Sequence, residues 1–449
     1  MIVCKFGGTS VQDAPAIGRL VHIVRARLPD RPVVVVSALA RVTDQLVRLA
    51  DATRGGDTGQ VDTTLDALLE RHHDVALVLP GGEAALPHLD DDVAALRDLL
   101  RGAMGRPLTP AERDDVVGRG ELWSARLVAA ACAGAGLAAD WVDARTVVVT
   151  DDRFGRATPL PERIAERAAL ELAPLVAAGR VPVTQGFIGA TAAGVPTTLG
   201  RGGSDFSASL LGAALGATRV EIWTDVDGLM TADPRLVPAA RTLARASYEE
   251  AAELATFGAK VLHPATQLPL ARAGIPIAIL NAMHPERAGT VIEAGEVPAP
   301  GAPPVRSISW KRGITVINVR APRMLGAFGF LRQLFAVFER HEVVVDVLAS
   351  SEVAVSLTIE DAGRLPALRP ELEALGEVTT ASQRAIVAVV GGGIRHQAGL
   401  AARIFAAASP ANVELVSMGC NAINLTFVVH EDDGPDVVRR LHGAFFEAA

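Results

Sequence analysis

The amino-acid sequence predicts an α/β protein in which a mainly parallel sheet, covered by helices on both faces, is followed by two smaller βαββα domains. In the first part of the chain, short apolar runs such as IVCKF, PVVVV and VEIWT alternate with helical segments. This alternation is typical of parallel strands that are buried on both faces. From Gly313 onward the order strand, glycine loop, helix, strand, strand, helix occurs twice, in copies of roughly 65 residues.

The domain boundaries are placed where this pattern changes. Residues 285–305, PERAGTVIEAGEVPAPGAPPV, are rich in proline, glycine and alanine and lack helical or strand periodicity, as is typical of a linker. We therefore expect a first domain over 1–292, a linker over 293–305, and two tail domains over 306–380 and 381–449, with a strand near 305–310 that packs with the second tail domain. Each tail copy is small, so we expect its sheet to be buried against a partner copy.

Composition and charge argue against several classes of protein. The formal charge is −8 and there is no long basic run, which argues against nucleic acid or an anionic membrane as a partner. No apolar run reaches the about 18 residues of a membrane-spanning helix, and no basic leader precedes the first strand. Cys4, Cys132 and Cys420 form no CxxC pair or zinc pattern. These observations predict a cytoplasmic protein.

The N-terminal stretch MIVCKFGGTSV predicts a strand that feeds a tight turn, with Lys5 placed before the glycine pair Gly7 and Gly8. Glycines at such a turn let the backbone approach an anion. The stretch is not a P-loop, because the lysine comes before the glycines, and the chain contains no GxxxxGK[ST] motif. The sequence matches a dinucleotide-binding fingerprint only weakly, and it contains no GxSxG nucleophile motif.

A second candidate site is TTLGRGGSDFSASLLGAALGA. Three glycines surround Arg201, and Ser204 and Asp205 are placed at the start of an amphipathic helix, where serine or aspartate is a normal N-cap. A helix start that follows glycines attracts phosphate. An ordinary strand-to-helix turn is the alternative interpretation of this stretch alone.

Three further stretches carry polar residues at element ends. In EIWTDVDGLMTADPRL, acids after a strand can hold a ribose, a base edge or a metal-bound phosphate, or can form Asx turns with their own backbone. In ATFGAKVLHPAT, Lys260 lies late in a helix, where the helix dipole favours a cation. In GRGELW, Glu121 is expected in the first turn of a helix, where a glutamate usually does no more than interact favourably with the helix dipole.

Taken together, KFGGTSV, GRGGSD, WTDVDG with TADPR, and FGAKVLHP before a two-copy tail resemble the aspartate kinase family, in order and over essentially the whole chain. The tail is similar to tandem ACT domains, and the length resembles the monofunctional, lysine-sensitive members, with no segment left for a fused homoserine dehydrogenase. The resemblance implies an amino-acid-kinase fold for the first domain, and ACT domains with the ferredoxin-like βαββα fold.

The resemblance also implies a reaction. The γ-phosphoryl of ATP would move to the side-chain carboxylate of L-aspartate, giving 4-phospho-L-aspartate for lysine, threonine and methionine synthesis. An aspartate side chain in water has a pKa of about 3.9, so this carboxylate is already ionised at pH 7 and the reaction needs no general base. It needs in-line positioning and neutralisation of charge, because one anion attacks another.

Residue roles are implied by the same resemblance. Lys5 and Asp205 would be catalytic, with Asp205 also organising Mg²⁺. L-aspartate would contact Thr43, Glu121, Arg201, Gly203 and Ser204. ATP would contact Lys5, Phe6, Gly7, Gly8, Thr224, Asp225, Met230, Arg235, Lys260 and Val261. A feedback inhibitor, lysine or else threonine, would bind at Met324, Asp346, Ser350, Ser351 and Glu352. The implied assembly is a homodimer through the ACT domains, with a tetramer as the alternative.

The sequence departs from the family pattern at three places. Arg41 stands where relatives commonly have glycine, and Met230 replaces a tyrosine often seen near the nucleotide. Gly326, Ala327 and Phe328 replace more polar residues at the inhibitor site. Two other functions stay open: a kinase of the same fold that acts on glutamate, N-acetylglutamate or carbamate, and a catalytically silent amino-acid sensor.

Overall fold

The computed structural model describes residues 1–256, 262, 264–295, 303–324, 328–419 and 422–447. These residues form two compact units. The first contains Met1–Leu229, Ala244–Tyr248 and the described part of 261–295, and the second contains Met230–Leu243 and the described parts of 249–260 and 296–449. Residues 230–243, which lie within the predicted first domain in sequence, therefore pack in the second unit.

The helices and strands are numbered in chain order. The helices are α1 (Ala14–Arg27), α2 (Val42–Ala52), α3 (Thr58–Val78), α4 (Leu86–Gly102), α5 (Pro110–Gly134), α6 (Pro161–Glu171), α7 (Ala173–Ala177), α8 (Gly203–Ala214), α9 (Tyr248–Thr256), α10 (Pro264–Ala273), α11 (Phe330–Arg340), α12 (Leu365–Glu373), α13 (Leu400–Ala408) and α14 (Gly434–His442). The strands are β1 (Ile2–Phe6), β2 (Pro32–Val36), β3 (Ala139–Trp141), β4 (Val149–Thr150), β5 (Val181–Gln185), β6 (Ile188–Thr191), β7 (Pro196–Thr198), β8 (Val220–Thr224), β9 (Arg245–Ser247), β10 (Ile277–Asn281), β11 (Thr290–Glu293), β12 (Ser307–Arg320), β13 (Leu348–Ser350), β14 (Ala354–Ile359), β15 (Glu377–Val390), β16 (Leu415–Met418) and β17 (Asn424–His430).

The first unit is built on an eight-stranded sheet with the order β3-β5-β2-β1-β8-β10-β11-β9. The six strands from β3 to β10 run parallel, and β11 is antiparallel to β10. Every residue of β1, β2, β5 and β10 is buried, because helices cover both faces of the sheet. Helix α5 packs on β2, β3 and β5, whereas α8 packs on β1, β2 and β8. The predicted parallel sheet is confirmed.

The second unit contains one antiparallel sheet with the order β13-β14-β12-β15-β17-β16. Two βαββα copies share this sheet: β12, α11, β13, β14 and α12 form the first copy, and β15, α13, β16, β17 and α14 form the second. The central strands β12 and β15 pair along their lengths, with a register shift near Lys311. The start of β12, from Ser307 to Lys311, pairs with the end of β15.

Each copy buries its own apolar cluster. In the first copy, Leu334 and Phe338 of α11 pack with Leu357 of β14. In the second copy, Leu441 of α14 packs with Phe427 of β17. Two residues of the segment 230–243 join this second cluster, namely Ala232 and Val237.

Three features predicted from the sequence concern the linker, membrane-spanning helices and the cysteines. The predicted linker over 293–305 begins at the last residue of β11, and its residues 296–302 lie outside the described ones. Among the helices of the described residues, none is both long and apolar enough to cross a bilayer. Cys4 and Cys132 are buried and form no disulfide, and Cys420 lies outside the described residues.

Candidate active site at the carboxyl edge of the parallel sheet

A cavity of about 570 Å³ lies where the parallel strands of the first unit end. Lys5 and Gly8 reach it from the end of β1, Ser37 from the end of β2, and Phe187 from the segment after β5. The carboxyl edge of a parallel sheet is where such folds bind ligands. The cavity also gathers the seven residues that the sequence predicted for catalysis and substrate binding, together with Gly8 from the predicted nucleotide residues: Lys5, Thr43, Glu121, Arg201, Gly203, Ser204, Asp205 and Gly8.

Lys5 and Asp205 form an ion pair at the wall of this cavity. The Lys5 Nζ lies 2.6 Å from Asp205 Oδ1, and the two side chains are 11% and 16% exposed. Gly7 lies beside this pair, because a Cβ there would lie 3.5 Å from the Lys5 Nζ, whereas a Cβ at Gly8 would come within 3.1 Å of the Ala38 carbonyl oxygen. Gly7 therefore leaves space beside the ammonium group, and Gly8 lets the turn after β1 pack closely on the segment after β2, an arrangement suited to an anionic ligand.

Helix α8 points its N-terminus at the same cavity. Its N-cap is Gly202, in a left-handed conformation with φ of 72°, and no side chain caps the helix among the described residues. The prediction that Ser204 or Asp205 is the N-cap is wrong, because the helix begins one residue earlier, at Gly203. Both side chains therefore lie within the first helical turn and line the cavity. Uncapped amides and the helix dipole favour an anion here.

The loop after β5 packs closely against this helix start. A Cβ at Gly186 would lie 2.6 Å from the Ser204 Cβ, and a Cβ at Gly203 would lie 2.7 Å from the Phe187 ring. Phe187 itself has φ of 69°, an uncommon conformation for a bulky residue, and lines the cavity. We did not predict a role for Phe187 from the sequence. The glycine-flanked GFIG after a buried strand was the available signal.

Glu121 is placed differently from the sequence prediction. The prediction put it in the first turn of a helix that follows two glycines, but α5 runs from Pro110 to Gly134 and Glu121 lies in its middle. Gly118 and Gly120 do not start the helix; they allow it to pack closely. A Cβ at Gly120 would lie 2.9 Å from both the Ala38 Cβ and the Val42 Cγ1.

Glu121 is buried, with the residue 3% exposed, and it lines the cavity. Burial raises its pKa to about 8, although hydrogen bonds from the Ala38 backbone and the Thr43 side chain act in the opposite direction. Its Oε2 atom has no hydrogen-bond partner among the described residues. A buried acceptor without a partner is costly, so this geometry suits a ligand that brings a cationic donor.

The loop between β2 and α2 carries Arg41 to the cavity, and the first turn of α2 carries Thr43. Arg41 is the N-cap of α2 and has φ of 69° and ψ of 0°, a conformation that glycine adopts without strain. This explains physically why glycine suits the position. The Arg71 guanidinium holds the loop, because it donates to the Ala40 carbonyl at 2.9 Å and to the Gln12 carbonyl at 3.2 Å.

Charges of both signs face this cavity. Arg201 is exposed in the glycine-rich turn before α8, while Glu121 is buried in α5. Arg41 and Asp44 add one charge of each sign, and Val47 and Val117 contribute apolar surface. The sequence did not single out Asp44, Val47 or Val117. A small zwitterion with a second anionic group matches this distribution of charge.

The residues predicted to bind the nucleotide are spread more widely. Phe6 and Trp223 are sheet partners whose rings stack with centroids 6.0 Å apart, and the Gly7 amide donates to the Trp223 carbonyl at 3.2 Å. Thr224 ends β8 and donates to Asp225, which is exposed. Phe6, Gly7, Thr224 and Asp225 therefore lie at or just after the ends of two adjacent strands, although they are not part of the cavity lining.

The other nucleotide candidates lie elsewhere. Met230 and Arg235 belong to the second unit, where the Met230 carbonyl accepts a hydrogen bond from Ser307 at 2.7 Å. Arg235 is exposed and pairs with Asp233 at 2.7 Å, which lowers the pKa of the Asp233 carboxyl. The Arg235 amide also donates to Asp233, so this acid does form a turn with its own backbone. Lys260 and Val261 lie outside the described residues.

The predicted inhibitor residues lie in the first βαββα copy. The Asp346 side chain is 8% exposed and lies 3.3 Å from the Lys311 ammonium, which also pairs with Glu360. Burial raises the pKa of Asp346, and Lys311 partly offsets this effect. Met324 packs on the apolar cluster of the copy, while Ser350, Ser351 and Glu352 are exposed around the end of β13. Gly326 and Ala327 lie outside the described residues.

Comparison with known proteins identifies the family of this chain. A model of the amino acid kinase family matches residues 1–281, and a model of the ACT domain matches residues 387–445. The chain is 38% identical to the lysine-sensitive aspartokinase 3 of Escherichia coli over 459 residues, which cover 100% of this chain and 99% of that protein. The chain belongs to the aspartokinase family.

Other aspartokinases extend this result. The chain is 33% identical to the chloroplastic aspartokinase 2 of Arabidopsis thaliana, with 99% of this chain and 84% of the relative covered. The crystal structure of E. coli aspartokinase III in complex with aspartate and ADP, in the R-state, matches with a TM-score of 0.86 at 38% identity and covers 99% of this chain and 100% of that chain. The lysine and aspartate complex of the same aspartokinase, in the T-state, matches with a TM-score of 0.85 and covers 99% of each chain.

The residues of this aspartokinase-family cavity fit a magnesium ion that arrives with a nucleotide. Among the described residues, no group of three or more histidine, cysteine or acidic side chains is placed to hold a metal by itself. Asp205 offers a single carboxylate at the cavity wall. Mg²⁺ in nucleotide sites is commonly held by one or two carboxylates together with substrate phosphates, so a single acid is sufficient.

Proposed function

We propose that the protein is an ATP:L-aspartate 4-phosphotransferase, an aspartate kinase that starts lysine, threonine and methionine synthesis. The observation that carries the proposal is the cavity itself. It joins the Lys5–Asp205 ion pair to the buried Glu121 carboxyl and the Arg201 guanidinium within one lining. Membership of the aspartokinase family and the likeness to an aspartokinase solved with aspartate and ADP support the same reaction.

On the acceptor side, Glu121 binds the ammonium group of L-aspartate and Arg201 binds a carboxylate. Glu121 Oε2 is buried without a described partner, so an ammonium group would satisfy it and lower its pKa. The guanidinium of Arg201 can hold a carboxylate with two parallel hydrogen bonds. Thr43, Gly203 and Ser204 complete the lining around the acceptor. A site with one buried acid and one arginine discriminates by charge, because a substrate that lacks either group leaves a charge unpaired.

On the transfer side, the β-carboxylate of aspartate attacks the γ-phosphorus of ATP. An oxygen–phosphorus bond forms to the carboxylate as the bond to the β,γ-bridging oxygen breaks, and ADP leaves with that electron pair. No proton is transferred, because the attacking carboxylate is already ionised at pH 7. Lys5 and the uncapped amides of α8 offset the charge of the two anions. Asp205 holds the Lys5 ammonium in place and would hold Mg²⁺, which when bound neutralises phosphate charge.

On the donor side, the nucleotide lies along the ends of β1 and β8. Gly7 and Gly8 let the backbone approach the phosphates, and Phe6, Thr224 and Asp225 lie at or just after the same strand ends. Met230, Arg235, Lys260 and Val261 complete the proposed nucleotide residues. Methionine can pack on an adenine ring through its polarizable side chain, so Met230 can replace an aromatic residue there.

The tail regulates the enzyme through an amino acid, with lysine as the inhibitor and threonine as the alternative. The buried carboxyl of Asp346 is suited to an ammonium group, and Met324, Ser350, Ser351 and Glu352 lie in the same copy. Large apolar side chains are exposed on this copy, namely Phe328, Leu331, Phe335, Val344 and Val353. Exposed apolar surface of this kind favours pairing of two subunits. We therefore propose a cytoplasmic homodimer formed through the ACT domains, with a tetramer as the larger alternative.

The test is acceptor competition with the full-length protein. Hydroxylamine traps an acyl phosphate as a hydroxamate, which is measured with ATP, Mg²⁺ and either aspartate, glutamate or N-acetylglutamate as acceptor, and with carbamoyl phosphate formation as a separate assay. We expect turnover with aspartate and little with the others. Preference for glutamate, N-acetylglutamate or carbamate would overturn the proposal, and failure to bind ATP in calorimetry would instead support a silent sensor.

A further inference from the structure

The segment 230–243, here called the 230–243 loop, follows the end of β8 and precedes β9. Both strands belong to the sheet of the first unit, whereas the loop packs in the second unit. The loop is closed on itself, because Met230 forms a bridge with Thr242 and the Thr231 amide donates to the Arg241 carbonyl at 2.9 Å. The Thr231 hydroxyl oxygen also accepts from the Arg241 amide at 2.9 Å. Thr231 is thus the residue that closes the loop.

The loop is anchored in the second βαββα copy. Ala232 and Val237 are each 4% exposed and belong to its apolar cluster. The Thr231 carbonyl accepts from the Ile308 amide at 2.8 Å, which ties the loop to the start of β12. The conformation of the loop therefore depends on the core of the second copy.

His442 provides a further anchor, from the last residue of α14. Its ring is fully buried, with Nε2 3.0 Å from Thr231 Oγ1 and Nδ1 2.6 Å from Glu447 Oε1. An ionised carboxylate only accepts hydrogen bonds, so in a neutral imidazole Nδ1 carries the proton and Nε2 accepts from the Thr231 hydroxyl. The Phe446 ring packs against the imidazole with centroids 4.7 Å apart. This buried histidine has no place in the chemistry proposed above.

The same C-terminal segment makes two more hydrogen bonds to the loop. The Arg439 guanidinium donates to the Leu236 carbonyl at 3.3 Å, and the Arg241 guanidinium donates to the Phe446 carbonyl at 3.4 Å. Both arginines are largely exposed, so these bonds are weaker anchors than the fully buried imidazole. His442 is therefore the side chain whose loss should most loosen the closing residue Thr231.

We infer that His442 is a positioning residue for the nucleotide half of the reaction and acts through Thr231 on the loop that carries Met230 and Arg235. The inference rests on the proposed function, which assigns these two residues to ATP. Thr231 directly follows Met230 in the chain, so a change in the hydrogen bonds of Thr231 is transmitted to Met230 through one peptide link. The proposed aspartate residues come from other elements, all of them in the first unit, so binding of aspartate should not depend on His442.

The test separates the two substrates kinetically in the full-length protein. His442→Ala and Thr231→Val should each raise the KM for ATP about tenfold, equivalent to about 1.4 kcal/mol, with the KM for aspartate changed less than twofold. His442→Gln should restore most of the wild-type KM, because its amide oxygen can replace Nε2 as the acceptor. His442→Asn should not restore the KM for ATP, because the shorter asparagine amide reaches only the position of Nδ1 and not that of Nε2. The Gln and Asn variants form a matched pair.

A purely structural role is tested with Val429→Ala, a variant in the same apolar cluster on β17. It should lower the melting temperature without changing the KM for ATP. The inference is overturned if His442→Ala raises both KM values equally, if Asn rescues as well as Gln, or if the ATP effect follows melting temperature across all variants.

Failure of the proposed function would give different experimental results from failure of the inference about His442. If the wild-type protein binds ATP in calorimetry but does not phosphorylate aspartate, the proposed function fails, and the inference is tested by the ATP affinity of the same variants. Loss of ATP affinity in His442→Ala and recovery in His442→Gln would support it there. A wild-type protein that does not bind ATP would overturn both.

Discussion

The Lys5 ammonium lies 2.6 Å from the Asp205 carboxylate, so strand β1 and helix α8 are joined at the cavity wall by one ion pair. Neither side chain is completely buried. For a pair that is buried to this degree, the cost of removing the two charges from water offsets most of their attraction, so the intact pair adds little net stability. Its position beside a glycine turn and an uncapped helix start gives it a role in holding anions.

Removal of either charge should therefore abolish catalysis and leave the fold intact. We expect Lys5→Met and Asp205→Asn each to lower kcat by roughly a thousandfold or more, the size of effect seen for charges that act on a transferring phosphoryl group. The melting temperature should change by only a few degrees. Hydroxamate formation and thermal unfolding measure the two effects. Arg180→Ala, which breaks a partly exposed pair with Asp140 outside the cavity lining, is the control and should retain activity.

Binding of aspartate should release a proton near neutral pH. Burial holds the pKa of Glu121 at about 8 in the free protein, so the carboxyl is mostly protonated at pH 7. The bound ammonium group lowers this pKa, so affinity should rise with pH, by up to tenfold per unit, and level off above about pH 8. Calorimetry in two buffers of different ionisation enthalpy measures the released proton.

Glu121→Gln is the matched variant for this experiment, since it preserves the shape of the side chain and removes its titration. It should weaken aspartate binding and make it independent of pH between about 6 and 8, the range in which the glutamate titrates. If the Gln variant kept the wild-type pH dependence, the titrating group would have to be another residue.

Replacement of Arg41 by glycine and by alanine should affect the stability of the protein differently. Its φ of 69° strains any residue with a Cβ, whereas glycine adopts it freely. Arg41→Gly should therefore be more stable than Arg41→Ala by about 1 kcal/mol in chemical denaturation. Both variants lose the same charge, so a change in the KM for aspartate that is equal in both would come from that charge.

Asp346 should control inhibition by lysine. Asp346→Asn removes the buried negative charge that suits an ammonium group, so the lysine concentration for half inhibition should rise at least about tenfold, while kcat without lysine stays within about twofold. Asp361→Asn, on an exposed 3₁₀ turn of the same copy, is the control and should be inhibited normally. Inhibition of the Asp346 variant at wild-type lysine concentrations would place the inhibitor elsewhere.

Replacement of two helical glycines by alanine should change the stability of the protein in opposite directions. Gly18 in α1 has nothing within 4 Å of its missing Cβ, so Gly18→Ala should stabilise the protein by about 0.5–1 kcal/mol. At Gly120 the new Cβ would press on Ala38 and Val42, so Gly120→Ala should cost about 1–3 kcal/mol. Denaturation midpoints compare the two, and only the second variant should raise the KM for aspartate, because the displaced segment leads to Thr43.

Local sequence was sufficient to predict the buried strands, because IVCKF and PVVVV are apolar at nearly every position and are bounded by turns and helices. The sequence placed Lys5 at the end of such a strand, but only the family resemblance grouped it with Arg201 and Asp205, because β7, the strand before these two residues, belongs to a separate three-stranded sheet. The sequence placed Glu121 wrongly in the first turn of a helix, because Gly118 and Gly120 resemble a helix boundary when considered without the rest of the structure. Their actual function is close packing against other elements, which no local pattern contains.

Other features depended on partners far away in sequence. The left-handed backbone at Arg41 belongs to the turn between β2 and α2, and an arginine side chain by itself does not indicate such a conformation. The 230–243 loop packs with residues that follow it by more than about sixty positions, so its sequence indicated turns but not the unit that contains it. The buried state of His442 likewise depends on Thr231, with which it shares no local pattern.

The hydrogen bond between Thr231 and His442 joins residues that are 211 positions apart. On the ribosome, therefore, the β8–β9 connection emerges long before the helix that anchors it has been made. A nascent chain that stops before α14 would contain the whole parallel sheet but would lack this anchor of its 230–243 loop. On the inference drawn above, such a chain should bind ATP more weakly than the full-length protein, so full nucleotide affinity is reached only after residue 442 has been translated.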